Sequence, residues 1–146
     1  MSLMPTTIEL LARARVDLRM GLPVVLTCGN EGALAISAET LTAARLADMR
    51  AIGTPILALT ARRAETLKAR AYDGDVARIA LPQDADRRWI EALADPSDDL
   101  NTPMKGPLTS LRDGSAELHR LAISLVKSAR LLPAAILLPV ENPLKY

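Results

Sequence analysis

Pro23-Val-Val-Leu-Thr-Cys-Gly-Asn-Glu-Gly-Ala-Leu-Ala-Ile-Ser-Ala-Glu39 opens the part of this chain that decides its fold. The apolar runs 23–27 and 33–39 predict two strands, because β-branched and apolar residues favour extended structure. The residues between them, 28–32, are typical of a tight turn, since their two glycines can take positive φ. The stretch therefore predicts a pair of adjacent strands joined by a turn.

A helix, a strand and a second helix are expected to follow. Thr40 is the predicted N-cap of a helix that ends at Gly53. The apolar run 55–60 predicts a third strand, and residues 61–67 predict the helix after it. Alternating strands and helices place the chain in the α/β or mixed α+β class.

The rest of the chain adds helices and strands on either side of this unit. Apolar residues at helical spacing predict helices over 7–20, from Asp84 or Asp86 to Ala94, and over 115–131, with strands over 76–81 and 133–140.

A chain of 146 residues is expected to form one domain over 1–146. Its native start is placed at 4–7. The Pro- and Gly-containing residues 95–113 are interpreted as an internal loop. Residues 141–146 are interpreted as a tail.

Composition and charge exclude several classes of function. The net charge of +1 and an aromatic content of 2% offer neither a basic field nor a stacking platform, so nucleic-acid binding is not expected. The basic pairs Arg62-Arg63 and Arg87-Arg88 are interpreted as solvated helix faces. No apolar run reaches the roughly 18 residues of a membrane span. Cys28 is the only cysteine, which favours a reducing, cytoplasmic location.

Few side chains are candidates for chemistry. Cys28 and His119 are the only cysteine and histidine, so the chain alone cannot form a structural zinc site. His119 has no carboxylate three or four positions away on its helix, and it is interpreted as a surface or edge histidine rather than a displaced catalyst. Cys28 is interpreted as a half-buried structural residue rather than a reactive thiol. Helix-start and loop aspartates account for an acidic cluster better than a metal site does: Asp84, Asp86, Asp95, Asp98 and Asp99.

The order of these segments resembles the 3,4-dihydroxy-2-butanone-4-phosphate synthase family of riboflavin biosynthesis. Asn30-Glu31-Gly32 matches part of that family's acidic turn, Asp-Asp-Glu-Asp-Arg-Glu-Asn-Glu-Gly-Asp. Further similarity lies at Ala85-Asp86-Arg87, in the loop 101–108 and over 122–134. The resemblance covers roughly residues 8–140 and implies a central mixed sheet flanked by helices.

The same resemblance implies that the family's magnesium site is lost. Its ligand glutamate corresponds to Gly29 and its ligand histidine to Leu118, while the turn's last aspartate corresponds to Ala33. The threonine and glutamate after that histidine correspond to His119 and Arg120. Glu31 alone keeps a family carboxylate, so the turn 30–32 is interpreted as vestigial. No catalytic residue, metal or cofactor is expected in this chain.

Some GTP cyclohydrolase II proteins carry an N-terminal synthase-like domain without its active site, and this chain resembles such a domain, including at 60–64 and 129–135. The resemblance implies a non-catalytic domain with a folding, dimerisation or regulatory role. It also implies a homodimer, and a gene that continues past Tyr146 into a cyclohydrolase domain. The apolar faces of the final helix and of the helix with Leu41, Ala44 and Leu46 are candidate dimer surfaces.

Two alternatives remain open. One is a free-standing interaction module of the same fold. The other is an enzyme with a repurposed site near Glu31 and His119.

Overall fold

The computed structural model describes residues 3–100 and 108–141, which form helices and strands in alternation. In chain order these are α1 (Thr7–Arg19), β1 (Val24–Cys28), β2 (Glu31–Ser37), α2 (Ala43–Ile52), β3 (Ile56–Thr60), α3 (Ala61–Thr66), β4 (Val76–Ala80), α4 (Arg87–Ala94), a 3-10 turn (Pro96–Asp98), α5 (Glu117–Ser128) and β5 (Ala134–Val140). Part of the predicted loop 95–113 and most of the predicted tail lie outside the described residues. No helix within the described ranges is long and apolar enough to span a membrane.

The strands form one sheet in the order β1-β2-β5-β3-β4. Every neighbouring pair is antiparallel within the described residues, whereas the resemblance implied a mixed sheet. β5 lies in the middle and pairs with β2 on one side and β3 on the other. The strand β5 therefore joins two antiparallel strand pairs, β1-β2 and β3-β4, that precede it in sequence.

Two apolar layers cover the two faces of this sheet. Leu34 and Ile36 of β2 pack on one face with residues of α2, α3 and α4. Their neighbours Ala33 and Ala35 point to the other face, which is covered by α1 and α5. Side chains alternate between faces along a strand, so a continuously apolar strand is buried on both sides. This confirms the mixed α and β class and explains why β5 has no buried polar residue.

The N-cap of α2 is Thr42 rather than the predicted Thr40. The Thr42 hydroxyl oxygen accepts a hydrogen bond from the Arg45 N–H at 3.2 Å. Thr40 instead donates its hydroxyl to the Leu18 carbonyl oxygen at 2.7 Å. The prediction was wrong because the Thr40 side chain is bonded to Leu18 of α1, 22 residues earlier in the sequence.

Arg63 is not on a solvated helix face. Its guanidinium pairs with the carboxylate of Asp99 at 2.6 Å and donates to the carbonyls of Leu93 and Ala92. The neighbouring Arg62 is exposed, as predicted. Arg63 therefore joins α3 to the end of α4 and the segment that follows it.

Gly21, between α1 and β1, is required by both its backbone and its surroundings. Its φ is +81°, and an added Cβ would lie 2.8 Å from the Thr40 carbonyl oxygen. Gly29, in the β1–β2 turn, has a similar φ of +61°, but an added Cβ there would meet nothing within 4 Å. Substitutions at these two glycines therefore distinguish the energetic cost of positive φ from that of a steric clash.

We expect Gly29→Ala to lower the free energy of unfolding by about 1 kcal/mol, because alanine disfavours positive φ. Gly21→Ala should cost at least twice that, since the clash with Thr40 adds to the same backbone term. Urea denaturation of both variants measures the difference. Equal losses in the two variants would contradict the close packing of Gly21 against Thr40.

Candidate functional site

A cleft of about 400 Å³ lies at one end of the sheet. Its walls come from the β1–β2 turn, the start of β3, the residues that open α5 and the end of β5. The side chains that matter for its chemistry are Asn30, Glu31, Arg78, Ser115, Leu118, His119 and Glu141. The structure thus brings the predicted turn 30–32 and the predicted His119 into one site.

The register of the strands explains why these segments lie together. Gly32 of β2 lies opposite Val140 of β5, so the turn is next to the end of the last strand. Ile56, at the start of β3, lies opposite Leu137 of the same strand. α5 packs across the sheet, and its first turn presents Leu118 and His119 to the cleft. The site is assembled from segments up to about 110 residues apart in sequence, and β2, β3 and α5 all contact β5.

The donor set of this cleft does not fit the magnesium ion of the resembling family. Leu118 is buried with 6% exposure and offers no ligand atom, and Gly29 and Ala33 likewise lack donor side chains. Glu31 and Glu141 are the carboxylates of the cleft wall. Among the described residues, no group of three or more His, Cys, Asp or Glu side chains could hold a metal ion. Magnesium prefers several oxygen ligands in octahedral arrangement.

His119 is buried, with 5% exposure, and is not the surface or edge residue that was predicted. Within the described part of the chain, neither ring nitrogen has a hydrogen-bond partner. The pKa of His119 is lowered from 6.5 to about 4, because burial and, to a smaller extent, the positive charge of Arg78 lower it, while the Asp73 carboxylate opposes the shift. The imidazole is therefore neutral at pH 7.

A signal for this burial is present in the sequence. Ala122, Ile123 and Val126 follow His119 at helical spacings of three, four and seven, and all three are buried. A polar residue on such a stripe faces the core. The absence of nearby carboxylates led to the prediction of a surface residue. The helical spacing of the apolar residues is the signal that indicates its burial.

Arg78 is a residue of this site that the sequence did not reveal. It lies in the centre of β4 with 4% exposure, and its guanidinium contacts the Asp73 carboxylate at 2.9 and 3.3 Å. An ion pair of this kind satisfies a charge that burial alone would make very costly. A charged residue inside the apolar run Val76–Ala80 was the available signal.

The other candidate residues do not line this cleft. Cys28 is exposed at the end of β1, so the prediction of a half-buried cysteine was wrong. Three aspartates of the acidic cluster have structural roles. Asp86 caps α4, Asp95 caps the 3-10 turn and Asp99 pairs with Arg63.

The neutral state of His119 predicts acid sensitivity. Its pKa of about 4 in the folded protein lies below the value of 6.5 expected when unfolded. The unfolded chain therefore takes up the proton first, and stability that is complete above pH 6.5 is lost as the pH falls toward 4. We expect this group to lower the free energy of unfolding by about 2 kcal/mol between pH 7.5 and 5.

Urea denaturation at both pH values measures the loss, with His119→Leu as the matched variant. Leucine cannot titrate, so the pH dependence of the variant should be weaker by the same amount. The same pH dependence in both proteins would contradict a buried neutral histidine.

Comparison with known proteins extends these observations. No family model matches this chain. A GTP cyclohydrolase-2 from Azospirillum brasilense is 34% identical over 135 residues, which cover 89% of this chain and 34% of that protein. The chain thus spans about a third of the length of this curated relative.

Solved structures share the fold. A two-domain 3,4-dihydroxy-2-butanone 4-phosphate synthase from A. baumannii has a TM-score of 0.65 at 16% identity, covering 89% of this chain and 47% of its own. The synthase of Candida albicans has a TM-score of 0.62 at 18% identity, with coverages of 87% and 77%. Another synthase structure, a complex with two magnesium ions, has a TM-score of 0.62 at 17% identity, with coverages of 88% and 74%. The chain therefore has the fold of 3,4-dihydroxy-2-butanone 4-phosphate synthase and is similar in sequence to part of a GTP cyclohydrolase-2.

Proposed function

We propose that this chain is a catalytically inactive synthase-like domain of a riboflavin-pathway GTP cyclohydrolase II. The observation that carries the proposal is the composition of the cleft. The turn with Glu31 and the start of α5 still meet there, but Leu118 faces that turn where the resembling enzymes have a metal ligand. The architecture of a synthase site is retained without its reactive groups.

The remaining polar groups do not replace those that were lost. Isomerising a sugar phosphate requires groups that take up and release protons at the substrate. Glu31 is an exposed carboxylate, and the nitrogens of His119 are buried beneath the cleft wall. Arg78 is already paired with Asp73. These contacts argue against the alternative of a repurposed enzyme at Glu31 and His119, although both residues line one cleft.

A non-catalytic domain of this kind acts through folding, dimerisation or regulation of its cyclohydrolase partner domain. The similarity to a cyclohydrolase about three times the length of the matched region supports this reading. A cytoplasmic location belongs to the same proposal. The free-standing interaction module is the second possibility that the fold allows.

We also propose a homodimer, with an interface that differs from the two helix faces indicated by the sequence. Leu41 and Leu46 are buried inside the domain, so the face on α2 is not available. Most apolar residues of α5 are buried against the sheet as well. α1 and its C-cap residue instead expose large apolar side chains to solvent: Ile8, Leu10, Leu11, Val16 and Met20. A second copy packed on α1 would remove this apolar surface from water.

The first expectation is a lack of synthase activity. Purified protein with ribulose 5-phosphate and magnesium should release formate no faster than buffer, because the cleft lacks the metal ligands and the acid/base groups. An active synthase assayed in parallel is the control. Formate release above background that EDTA abolishes would overturn the proposal.

The second expectation concerns mass in solution. Light scattering at high micromolar concentration should give about twice the 15.7 kDa of one chain. Val16→Glu should shift the mass toward the monomer, because it places a charge in the proposed interface. Ile52→Glu, at an equally exposed apolar residue of α2, is the matched control. A monomeric wild-type protein would contradict the dimer, and a dimer insensitive to Val16→Glu would contradict the surface.

A further inference from the structure

A second cleft, here called the basic cleft, lies at the other end of β3. Ile56 at the start of β3 lines the first cleft, and Thr60 at its end lines the second. The two are therefore separated by the length of the strand, about 13 Å for four residue steps. The basic cleft has a volume of about 310 Å³, and its polar lining consists of Thr60, Arg62, Asp75, Arg120, Ser124 and Lys127.

Positive charge is in excess in the basic cleft. Arg62, Arg120 and Lys127 line it, and Asp75 is the carboxylate among its lining residues. Arg120 contacts Asp75 at 2.7 Å and also contacts Glu117, which lies outside the lining. Three cations thus face two carboxylates, and one positive charge is uncompensated even when Glu117 is counted.

The excess charge belongs to Arg62 and Lys127 together, since Asp75 is paired with Arg120 and also interacts electrostatically with Lys127. Neither Arg62 nor Lys127 has an ion pair within the part of the chain that the structure describes. They come from different elements, α3 and α5, and converge on one concave site. Like charges gathered in this way repel each other unless an anion lies between them.

Fixed groups around these two side chains suit an anion with several oxygens. The guanidinium of Arg120 is held in place by Asp75, Glu117 and the Asp73 carbonyl oxygen, the last at 2.8 Å. The hydroxyl oxygen of Thr60 accepts the Arg63 N–H, so its own proton is available to donate. Ser124 adds a second hydroxyl donor on the α5 side. Phosphate oxygens accept several such bonds at once.

We propose that the basic cleft binds a small phosphorylated anion through Arg62 and Lys127, with Thr60 and Ser124 as hydrogen-bond donors. The size and the charge favour a group with two or more negative charges, of the pyrophosphate or phosphate-monoester class. This site is distinct from the first cleft, which Glu31 and His119 line, and the proposal does not depend on the proposed loss of catalysis.

Titration of the full chain with sodium pyrophosphate, followed by two-dimensional NMR, tests the proposal. We expect saturable shifts of the Arg62, Ser124 and Lys127 amide signals, with a dissociation constant below about 10 mM. Inorganic phosphate should bind the same residues more weakly, because it carries less charge. Absence of saturation for pyrophosphate, or shifts centred on Glu31 and His119, would overturn the proposal.

The variant Arg62→Gln/Lys127→Gln should weaken pyrophosphate binding by about tenfold or more. Arg88→Gln/Lys68→Gln removes the same charges from exposed residues elsewhere and should stay within about twofold of wild type. Lys127→Glu alone should abolish saturation, which keeps the test available if the double variant folds poorly. Equal weakening by the two double variants would mean a general charge effect and would contradict the site.

Discussion

The pairing of β5 with both β2 and β3 is the constraint on which the rest of this fold depends. Residues 135–138 of β5 are completely buried, between layers formed by α2–α4 on one face and α1 with α5 on the other. Without β5, the sheet would separate into the two-stranded pairs β1-β2 and β3-β4, and an isolated pair of strands is at best marginally stable in water. The same strand places the β1–β2 turn beside the start of α5. The cleft is therefore a consequence of how the sheet closes.

The strands and helices could be predicted from the sequence because each carries a local pattern. The runs at 55–60 and 133–140 are apolar over the length of a strand, and the confirmed cap Asp86 directly precedes an amphipathic helix. The start of α2 could not be predicted in the same way. Thr40 and Thr42 are equally good caps locally, and a contact between Thr40 and Leu18, 22 residues away, decides between them. Tertiary contacts of this kind override local preference.

The site was predictable only in part, for a related reason. The missing donors at Gly29, Ala33 and Leu118 are visible in the sequence once the family resemblance is known, and the structure places Leu118 in the cleft wall. Arg78 is different, because a single arginine in a strand can equally face solvent. Its burial depends on Asp73, which lies five residues earlier in a connection without a strand or helix. The state of His119 depends in turn on both of these charges.

The short segment Asp73-Gly74-Asp75 connects the electrostatics of the two clefts. The Asp73 side chain pairs with Arg78, which lines the first cleft. The Asp73 carbonyl oxygen and the Asp75 carboxylate hold Arg120 in the basic cleft. Arg120 also lowers the pKa of Asp75, so that carboxylate stays charged. At the first cleft the buried cation is neutralised and the neighbouring histidine is neutral, so the Glu31 and Glu141 carboxylates are left on its wall and do not attract an anion. At the second, Arg62 of α3 and Lys127 of α5 have no ion pair among the described residues, although Arg120 is paired with this segment. The ends of β3 therefore differ in electrostatic character, and long-range attraction of an anion favours the basic cleft.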